Sequence, residues 1–290
     1  MSGSVAVRPM RLDDARRVHE IATRAFTDLD LRLGFPPSPS YASPEGEQRG
    51  LRRIRHLVTT DPGGAHLAER GGVPVGAALA SLREGLWGLS LLVVDPAAQS
   101  GGVGTALMRA ATDYGRQARG GIILASEDSR ALRAYARAGF ALHPSLGAKG
   151  TPRRLSSPST VRAGGRRDLA LAERVDRVVR GAGHGPDLGA MMDGGSQLLV
   201  VEDRGYALAT GGELRLLAAV DPPSAQDLLR AVVARTPAGE QAWVQWVTSH
   251  QDWALDVLVE SGLELKVGGA VALRGDVGRF RPYLPNGAYL

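Results

Sequence analysis

Three segments of the first half of the chain return in the same order in the second half, and this internal repeat limits the fold more than any other feature. The segments begin at Val7, Leu89 and Ile122 and return at Val161, Leu214 and Val244. The middle pair shows the similarity most clearly, since LSLLVVDP returns as LRLLAAVDPP. A repeat of this length indicates a duplicated domain, because the units of a solenoid are shorter and follow each other directly.

A segment rich in proline, serine and arginine separates the two copies. It predicts one domain at residues 1–146, a linker at 147–160 and a second domain at 161–290, whose aromatic and proline-rich C-terminal tail we expect to dock. Each half has the pattern of a short strand, a helix, strands, a helix, a strand, a helix and a final strand. This order predicts an α/β fold in which a mixed sheet carries helices on both faces. With 290 residues, 43% of them apolar, the chain is long enough for two cores.

The composition excludes several kinds of site. The sequence has no cysteine, so it forms neither disulfides nor thiolate metal sites and has no cysteine nucleophile. The net charge of +5 comes mostly from arginine, because Lys149 and Lys266 are the only lysines. These arginines are scattered, which favours a phosphate-rich small molecule over nucleic acid as a partner. Residues 1–7 lack the apolar core of a signal peptide and no segment has the length of a membrane span, so we expect a cytoplasmic protein that does not act at a membrane.

A glycine-rich loop follows a predicted strand and opens a predicted helix. The apolar run 89–94 ends at an Asp-Pro pair, and Gln99, Gly102 and Gly104 then fit the spacing Q-x-x-G-x-G. Such a unit directs backbone N–H groups and a helix N-terminus at one point, where a phosphate can bind. A P-loop would need a lysine at its end, and a dinucleotide site would need another glycine spacing after the first strand. The pyrophosphate loop of acyl-CoA transferases and a glycine-rich turn without a ligand both stay open on this segment alone.

A later segment narrows these alternatives. The sequence DSRALRAYARAGF from Asp128 follows the next predicted strand. Together the two segments resemble the GNAT superfamily of acyl-CoA N-acyltransferases over residues 5–145. The positions that carry the resemblance are Leu89, Leu92, Val94 and Pro96 in the strand motif, Gln99, Gly102 and Gly104 in the loop, and Ala131, Tyr135, Gly139 and Phe140 in the last motif. Asp128 stands where asparagine is usual in the family, and either residue can cap a helix.

The resemblance implies acetyl-CoA as cosubstrate and no metal, in a mostly antiparallel sheet. The cofactor-binding residues that it implies are Leu92, Val93 and Val94 for the pantetheine, Gln99, Ser100, Gly101, Gly102, Val103, Gly104 and Thr105 for the pyrophosphate, and Asp128 at the next helix. Tyr135 is implied as the acid that protonates the leaving thiolate. Two candidates stand for the base that deprotonates the acceptor amine, namely Glu84 before the strand and the carboxylate of Leu290 in the tail.

The second copy lacks these features. Its matching strand runs through Asp221 and Pro222 straight into a predicted helix without a glycine loop, and Leu258 stands at the position of Tyr135. We therefore expect two GNAT-like domains with one working site, the C-terminal copy being degenerate.

These inferences lead to an N-acetyltransferase that moves an acetyl group from acetyl-CoA to a primary amine by direct attack in a ternary complex. The alternative is a non-catalytic sensor or scaffold that binds acyl-CoA. The expected acceptor is a small-molecule or peptide amine, and the protein is expected to be a monomer or a homodimer. The acidic residues Asp28, Asp30, Glu45 and Glu47 lie in the segment that usually covers the acceptor in this family, where they would suit a cationic amine.

Overall fold

The computed structural model describes residues 4–290 and divides the chain into two compact units. Unit 1 extends to Ile123 and includes Asp128–Arg130 and Ala288–Leu290, and unit 2 contains Leu124–Glu127 and Ala131–Gly287. Along the chain the first elements are β1 (Val5–Pro9), α1 (Ala15–Arg32), α2 (Pro44–Thr60), β2 (Ala65–Arg70), β3 (Val73–Arg83), β4 (Leu86–Val94), α3 (Val103–Tyr114), β5 (Gly120–Ala125) and α4 (Ser129–Arg137). The later elements are β6 (Ala141–Gly150), β7 (Val161–Ala163), α5 (Leu169–Val179), α6 (Pro186–Asp193), β8 (Gln197–Val201), β9 (Gly205–Thr210), β10 (Glu213–Ala219), α7 (Pro222–Ala234), β11 (Ala242–Thr248), α8 (Trp253–Glu260), β12 (Glu264–Gly275) and β13 (Tyr283–Leu284).

The sheet of unit 1 has the strand order β1-β2-β3-β4-β5. Neighbouring strands are antiparallel except for β4 and β5, which run parallel. The side chains of Ala77 and Leu79 in β3 join a core with α1 and α2. The Cβ position of Gly76 points to the opposite face of the sheet, because a Cβ there would lie 3.0 Å from the side chain of Leu107 in α3. Since successive residues of a strand point to opposite faces, α1 and α2 cover one face of this sheet and α3 covers the other.

The helices α1 and α2 form because their apolar residues recur with helical spacing. The buried residues of α2 are Leu51, Ile54, Leu57 and Val58, which form one stripe along the helix. Ser43 caps its N-terminus by accepting a hydrogen bond from the Gly46 N–H at 3.0 Å, and Pro44 occupies the first turn. These signals set the start of α2 and direct its apolar stripe at the sheet.

The sheet of unit 2 has the order β12-β6-β11-β10-β9-β8-β7, and β13 pairs with β10. The strand β6 precedes the predicted linker in the sequence, yet it pairs with β11 on one side and with β12 on the other. The units therefore differ from the predicted domains, because residues 131–150 group with the second copy. Residues 147–150 of the predicted linker belong to β6, where backbone hydrogen bonds to both neighbours hold them.

Both copies begin with the same ion-pair arrangement. Arg8 of β1 donates to Asp14 at 2.8 Å and to Glu69 of β2 at 2.9 Å, and Asp14 also accepts from the Arg11 N–H at 2.7 Å. The hydrogen bond from Arg8 lowers the pKa of Asp14, although burial opposes this shift. Unit 2 repeats the arrangement with Arg162, Asp168, Glu202 and the Gly165 N–H.

A bulge also recurs at matching positions of the two sheets. In β4 the extra residue is Ser90, and in β10 it is Arg215. Together with the shared order of antiparallel pairs and one parallel pair in each copy, these details confirm two α/β domains of the same topology with mostly antiparallel sheets. Within residues 4–290, no helix combines the length and the apolar character that crossing a membrane requires.

Candidate active site

The strands β4 and β5 pair over only part of their length. Their parallel register runs from Leu86 opposite Gly120 to Leu89 opposite Ile123. On its other side β4 stays paired with β3 up to Val94, which lies opposite Gly76. The last residues of β4 are thus held in an extended conformation by β3, while their edge toward β5 lies beyond the β4–β5 register. An extended ligand with amide groups can pair with such an edge in the manner of a strand.

The bulge residue Ser90 lies where this edge begins. Leu89 and Leu91 flank it in the register with β3, so Ser90 itself has no opposite residue. Its Oγ donates to the Ala288 carbonyl at 2.6 Å and accepts from Arg53 Nε of α2 at 2.9 Å. Ser90 is buried, and no feature of the local sequence marks it as part of a site.

The loop after β4 is held by Asp95. One carboxylate oxygen accepts from the Ala97 N–H at 3.1 Å, and the other accepts from Arg24 of α1 at 2.7 Å. Burial opposes ionisation of this carboxyl, but these hydrogen bonds outweigh it and lower the pKa of Asp95. Further along the loop, Ser100 and Gly102 adopt positive φ angles of +63° and +76°. Glycine adopts this conformation at Gly102 without the steric cost that a Cβ would add, and the chain then enters the first turn of α3.

The N-terminus of α3 is open to a ligand. Its cap residue, Gly102, has no side chain that could bind the first-turn N–H groups. The N–H groups of Val103, Gly104 and Thr105 have no carbonyl partner within the helix, and the helix dipole makes this end positive. A Cβ at Gly104 would lie 3.7 Å from the side chain of Val94, so the first turn of α3 lies beside the end of β4. This geometry suits a phosphate group.

Asp128 and Arg130 connect the start of α4 to this loop within unit 1. Asp128 accepts from the Arg130 N–H at 2.9 Å, so it caps the helix in the way that its position implies. Burial raises the pKa of Asp128, but the hydrogen bonds from Arg130 outweigh that effect and lower it. The guanidinium of Arg130 donates to the side chain of Gln99 at 2.9 Å. A cation thus stands beside the loop. The sequence did not reveal it, because arginine is common throughout the helices of this chain.

The candidates for proton transfer lie in different places. Tyr135 is a buried residue of α4 in unit 2. Glu84 is exposed in the turn between β3 and β4, with a φ of +46°. At about 3.3 Å per residue, it is roughly 20 Å along β4 from Ser90, so the structure does not bring Glu84 to the unpaired edge. Leu290 is buried beside β4, and its backbone oxygen accepts from Ser81 Oγ at 3.3 Å.

The matching helix of the second copy offers no such anion site. Pro222 and Pro223 occupy its first turn and have no N–H group to donate. The next N–H, that of Ser224, already donates to the Asp221 side chain at 2.9 Å. Leu258, at the position of Tyr135, is fully buried in the core of unit 2. The absence of a phosphate cradle there follows from proline and from a filled cap, in addition to the missing glycine loop.

Three of the four acidic residues in the segment 27–47 already have partners. Asp28 pairs with Arg32 at 2.9 Å, and Glu47 pairs with Arg16 at 2.9 Å. Asp30 accepts from the Ser38 N–H at 3.1 Å. These carboxylates already bind groups of the protein, which leaves less of their negative charge for a cationic acceptor.

Among the residues that the structure describes, no group of three or more His, Cys, Asp or Glu side chains could hold a metal ion.

Comparisons with known proteins agree with this fold. Residues 16–140 match the model of the Acetyltransferase (GNAT) family. A protein from Pyrococcus horikoshii shares the fold with a TM-score of 0.79 at 17% identity, over 99% of this chain and 96% of that one. A GCN5-related N-acetyltransferase from Sphaerobacter thermophilus does so with a TM-score of 0.60 at 16% identity, over 98% of both chains. A tandem GNAT protein from the clavulanic acid biosynthesis pathway does so with a TM-score of 0.56 at 13% identity, over 94% of this chain and 99% of that one. No curated protein sequence matches the chain.

Proposed function

We propose that the protein is an N-acetyltransferase whose working site lies in the N-terminal copy, since residues 16–140 match the model of the Acetyltransferase (GNAT) family and the chain shares its fold with a tandem GNAT protein. It transfers the acetyl group of acetyl-CoA to a primary amine of a small molecule or peptide. The amine attacks directly while both substrates are bound. The second copy serves as a structural partner.

The observation that carries this proposal is the spacing between the N-terminus of α3 and the bulge of β4. The pantetheine arm from phosphate to sulfur is a chain of about thirteen atoms, which equals roughly four extended residues. With the pyrophosphate at the first turn of α3, beside Val94, the arm would run back along the unpaired edge and bring the sulfur near Ser90. Its two amide groups would pair with backbone groups of β4, as a strand would.

The chemistry then needs few side chains. A neutral amine attacks the thioester carbonyl, and a backbone N–H of the β4 edge stabilises the oxyanion. The C–N bond forms first and gives a tetrahedral intermediate, whose nitrogen loses a proton to solvent. The C–S bond then breaks, and the departing thiolate takes up a proton. We assign that proton to Tyr135 on the basis of the family resemblance. The N–H groups from Gln99 to Thr105 hold the phosphates at the N-terminus of α3.

Two measurements on the full chain test this function. Calorimetry with acetyl-CoA and with CoA reports binding, and release of free thiol against a panel of primary amines reports turnover. We expect micromolar binding of both and thiol release with at least one amine. Tight binding without thiol release from any amine would instead support an acyl-CoA sensor, and the absence of CoA binding would overturn both functions.

A further inference from the structure

We propose that the tail segment Ala288–Leu290 forms one wall of the pocket that receives the amine, and that it selects acceptors by size. This inference rests on the proposed function, since it assumes that the thioester lies near Ser90. It adds a specificity-determining segment from the far end of the chain, which belongs to unit 1 by its contacts.

The tail is fixed beside the bulge by a hydrogen bond and by close packing. Ser90 Oγ donates to the Ala288 carbonyl at 2.6 Å. Tyr289 is buried and stands edge-on against His56 of α2, with 5.4 Å between the ring centroids. Leu290 has an exposed fraction of only 1%. A segment held by these contacts is a permanent surface of unit 1.

Gly88 of β4 makes room for this segment. A Cβ at Gly88 would lie 2.5 Å from the Cβ of Leu290, which is closer than side chains approach. Gly88 lies opposite Ser81 of β3, whose hydroxyl donates to the Leu290 backbone oxygen at 3.3 Å. Ser81 and Leu79 are two residues apart in β3 and therefore point to the same face, the one that α1 and α2 cover. The tail thus lies on the α2 side of β4.

An amine that attacks the thioester on this side meets the tail and α2 together. Because the Ser90 hydroxyl donates to the Ala288 carbonyl, Ala288 would border a thioester placed near Ser90, and the neighbouring Tyr289 fills the space toward His56. Removing the Tyr289 ring opens that space without changing β4 or the loop. Pockets of this kind discriminate by roughly 10- to 200-fold for each methylene group that fits or clashes.

The first experiment measures acceptor size selection in Tyr289→Ala. Thiol release is compared for ethylamine, benzylamine and tryptamine, and we expect the ratio of kcat/KM for tryptamine to that for ethylamine to rise at least about tenfold. The KM for acetyl-CoA should stay unchanged. Leu57→Ala is the matched control, because Leu57 is a fully buried residue on the same helix as His56 that packs in the core of unit 1. It should lower the melting temperature and leave the ratio unchanged. An unchanged ratio in Tyr289→Ala would overturn the inference.

The second experiment does not depend on turnover. Because the protein has no cysteine, Ser90→Cys introduces a single thiol, whose reaction with a maleimide reports how well the tail shields this position. Labelling should be slow in Ser90→Cys and at least about tenfold faster when Gly88→Ala is added, since the new methyl group displaces Leu290. A CoA analogue without sulfur should slow the labelling again. Equal labelling rates with and without Gly88→Ala would refute the tail as a wall. Shielding by the tail combined with no effect of the analogue would refute the proposed function instead.

Discussion

The φ of +76° at Gly102 allows the proposed pyrophosphate cradle to be tested with a single methyl group. For an L-residue the left-handed region costs about 1–2 kcal/mol more than for glycine. No heavy atom lies within 4 Å of the Cβ that Gly102→Ala would add, so the substitution carries this conformational cost without a clash. The loop can avoid the cost by moving to another conformation, in which the N–H groups no longer point at one spot. Since 1.4 kcal/mol corresponds to a factor of ten, we expect Gly102→Ala to weaken CoA binding by roughly 5- to 30-fold.

Gly72 provides a matched control in the same unit. It lies in the turn between β2 and β3, has the same φ of +76° and likewise has no heavy atom within 4 Å of an added Cβ. Gly72→Ala should therefore destabilise the protein about as much as Gly102→Ala does, while the dissociation constant for CoA stays unchanged. Calorimetry with CoA and a thermal melt of each variant provide both numbers. If Gly102→Ala binds CoA as tightly as the unaltered protein, or if Gly72→Ala weakens binding equally, the loop is not the cradle.

Two further predictions concern stability. Asp61 and Arg83 form a buried ion pair at 2.8 Å, and Asp61 also accepts from the Leu82 N–H at 2.9 Å. Asp61→Asn should lower the free energy of unfolding by about 3–5 kcal/mol. The Leu82 amide should then exchange its hydrogen faster, and an unchanged exchange rate would contradict this prediction. Hydrogen bonds from Arg162 and from a backbone N–H lower the pKa of Asp168 to about 2. A carboxyl with a lowered pKa stabilises the fold above its ordinary pKa of 3.8, and this contribution is lost as the pH falls from about 4 to 2. Asp168→Asn should therefore flatten the dependence of the melting temperature on pH in that range, and an equally steep dependence would show that the pair is not responsible.

Elements that end at local signals could be predicted from the sequence. The bounds of β2 follow from the sequence, because two glycines of positive φ come directly after Arg70 and turn the chain. The apolar spacing of α1 indicates a helix only as far as Phe26, but α1 continues to Arg32. Its last turns contain no buried residue, and a pair between Asp28 and Arg32, four residues apart, supports them. Periodicity alone does not find the end of such a helix.

Contacts between distant segments could not be predicted. The pairing of β6 with β11 and β12 depends on backbone hydrogen bonds between strands far apart in the sequence, and no residue pattern encodes that choice. In the candidate site, residues 99–105 connect β4 to the first turn of α3, and their binding of a phosphate stays a prediction. Ser90 was missed because its role follows from a contact with Ala288. The repeat itself was visible, because Arg8 with Asp14 and Arg162 with Asp168 preserve both spacing and chemistry.

The place of Ala288–Leu290 in unit 1 sets an order of events during synthesis. A ribosome makes the chain from its N-terminus, so β4 and the loop leave the exit tunnel long before the tail does. Until then the space beside Gly88 that Leu290 occupies is empty, and the Ser90 hydroxyl lacks the Ala288 carbonyl as its acceptor. Unit 1, most of which is translated first, therefore receives its last segment only after the whole of unit 2 has been translated. A nascent chain stalled before the tail would carry the proposed phosphate cradle without the segment proposed as the wall of the acceptor pocket.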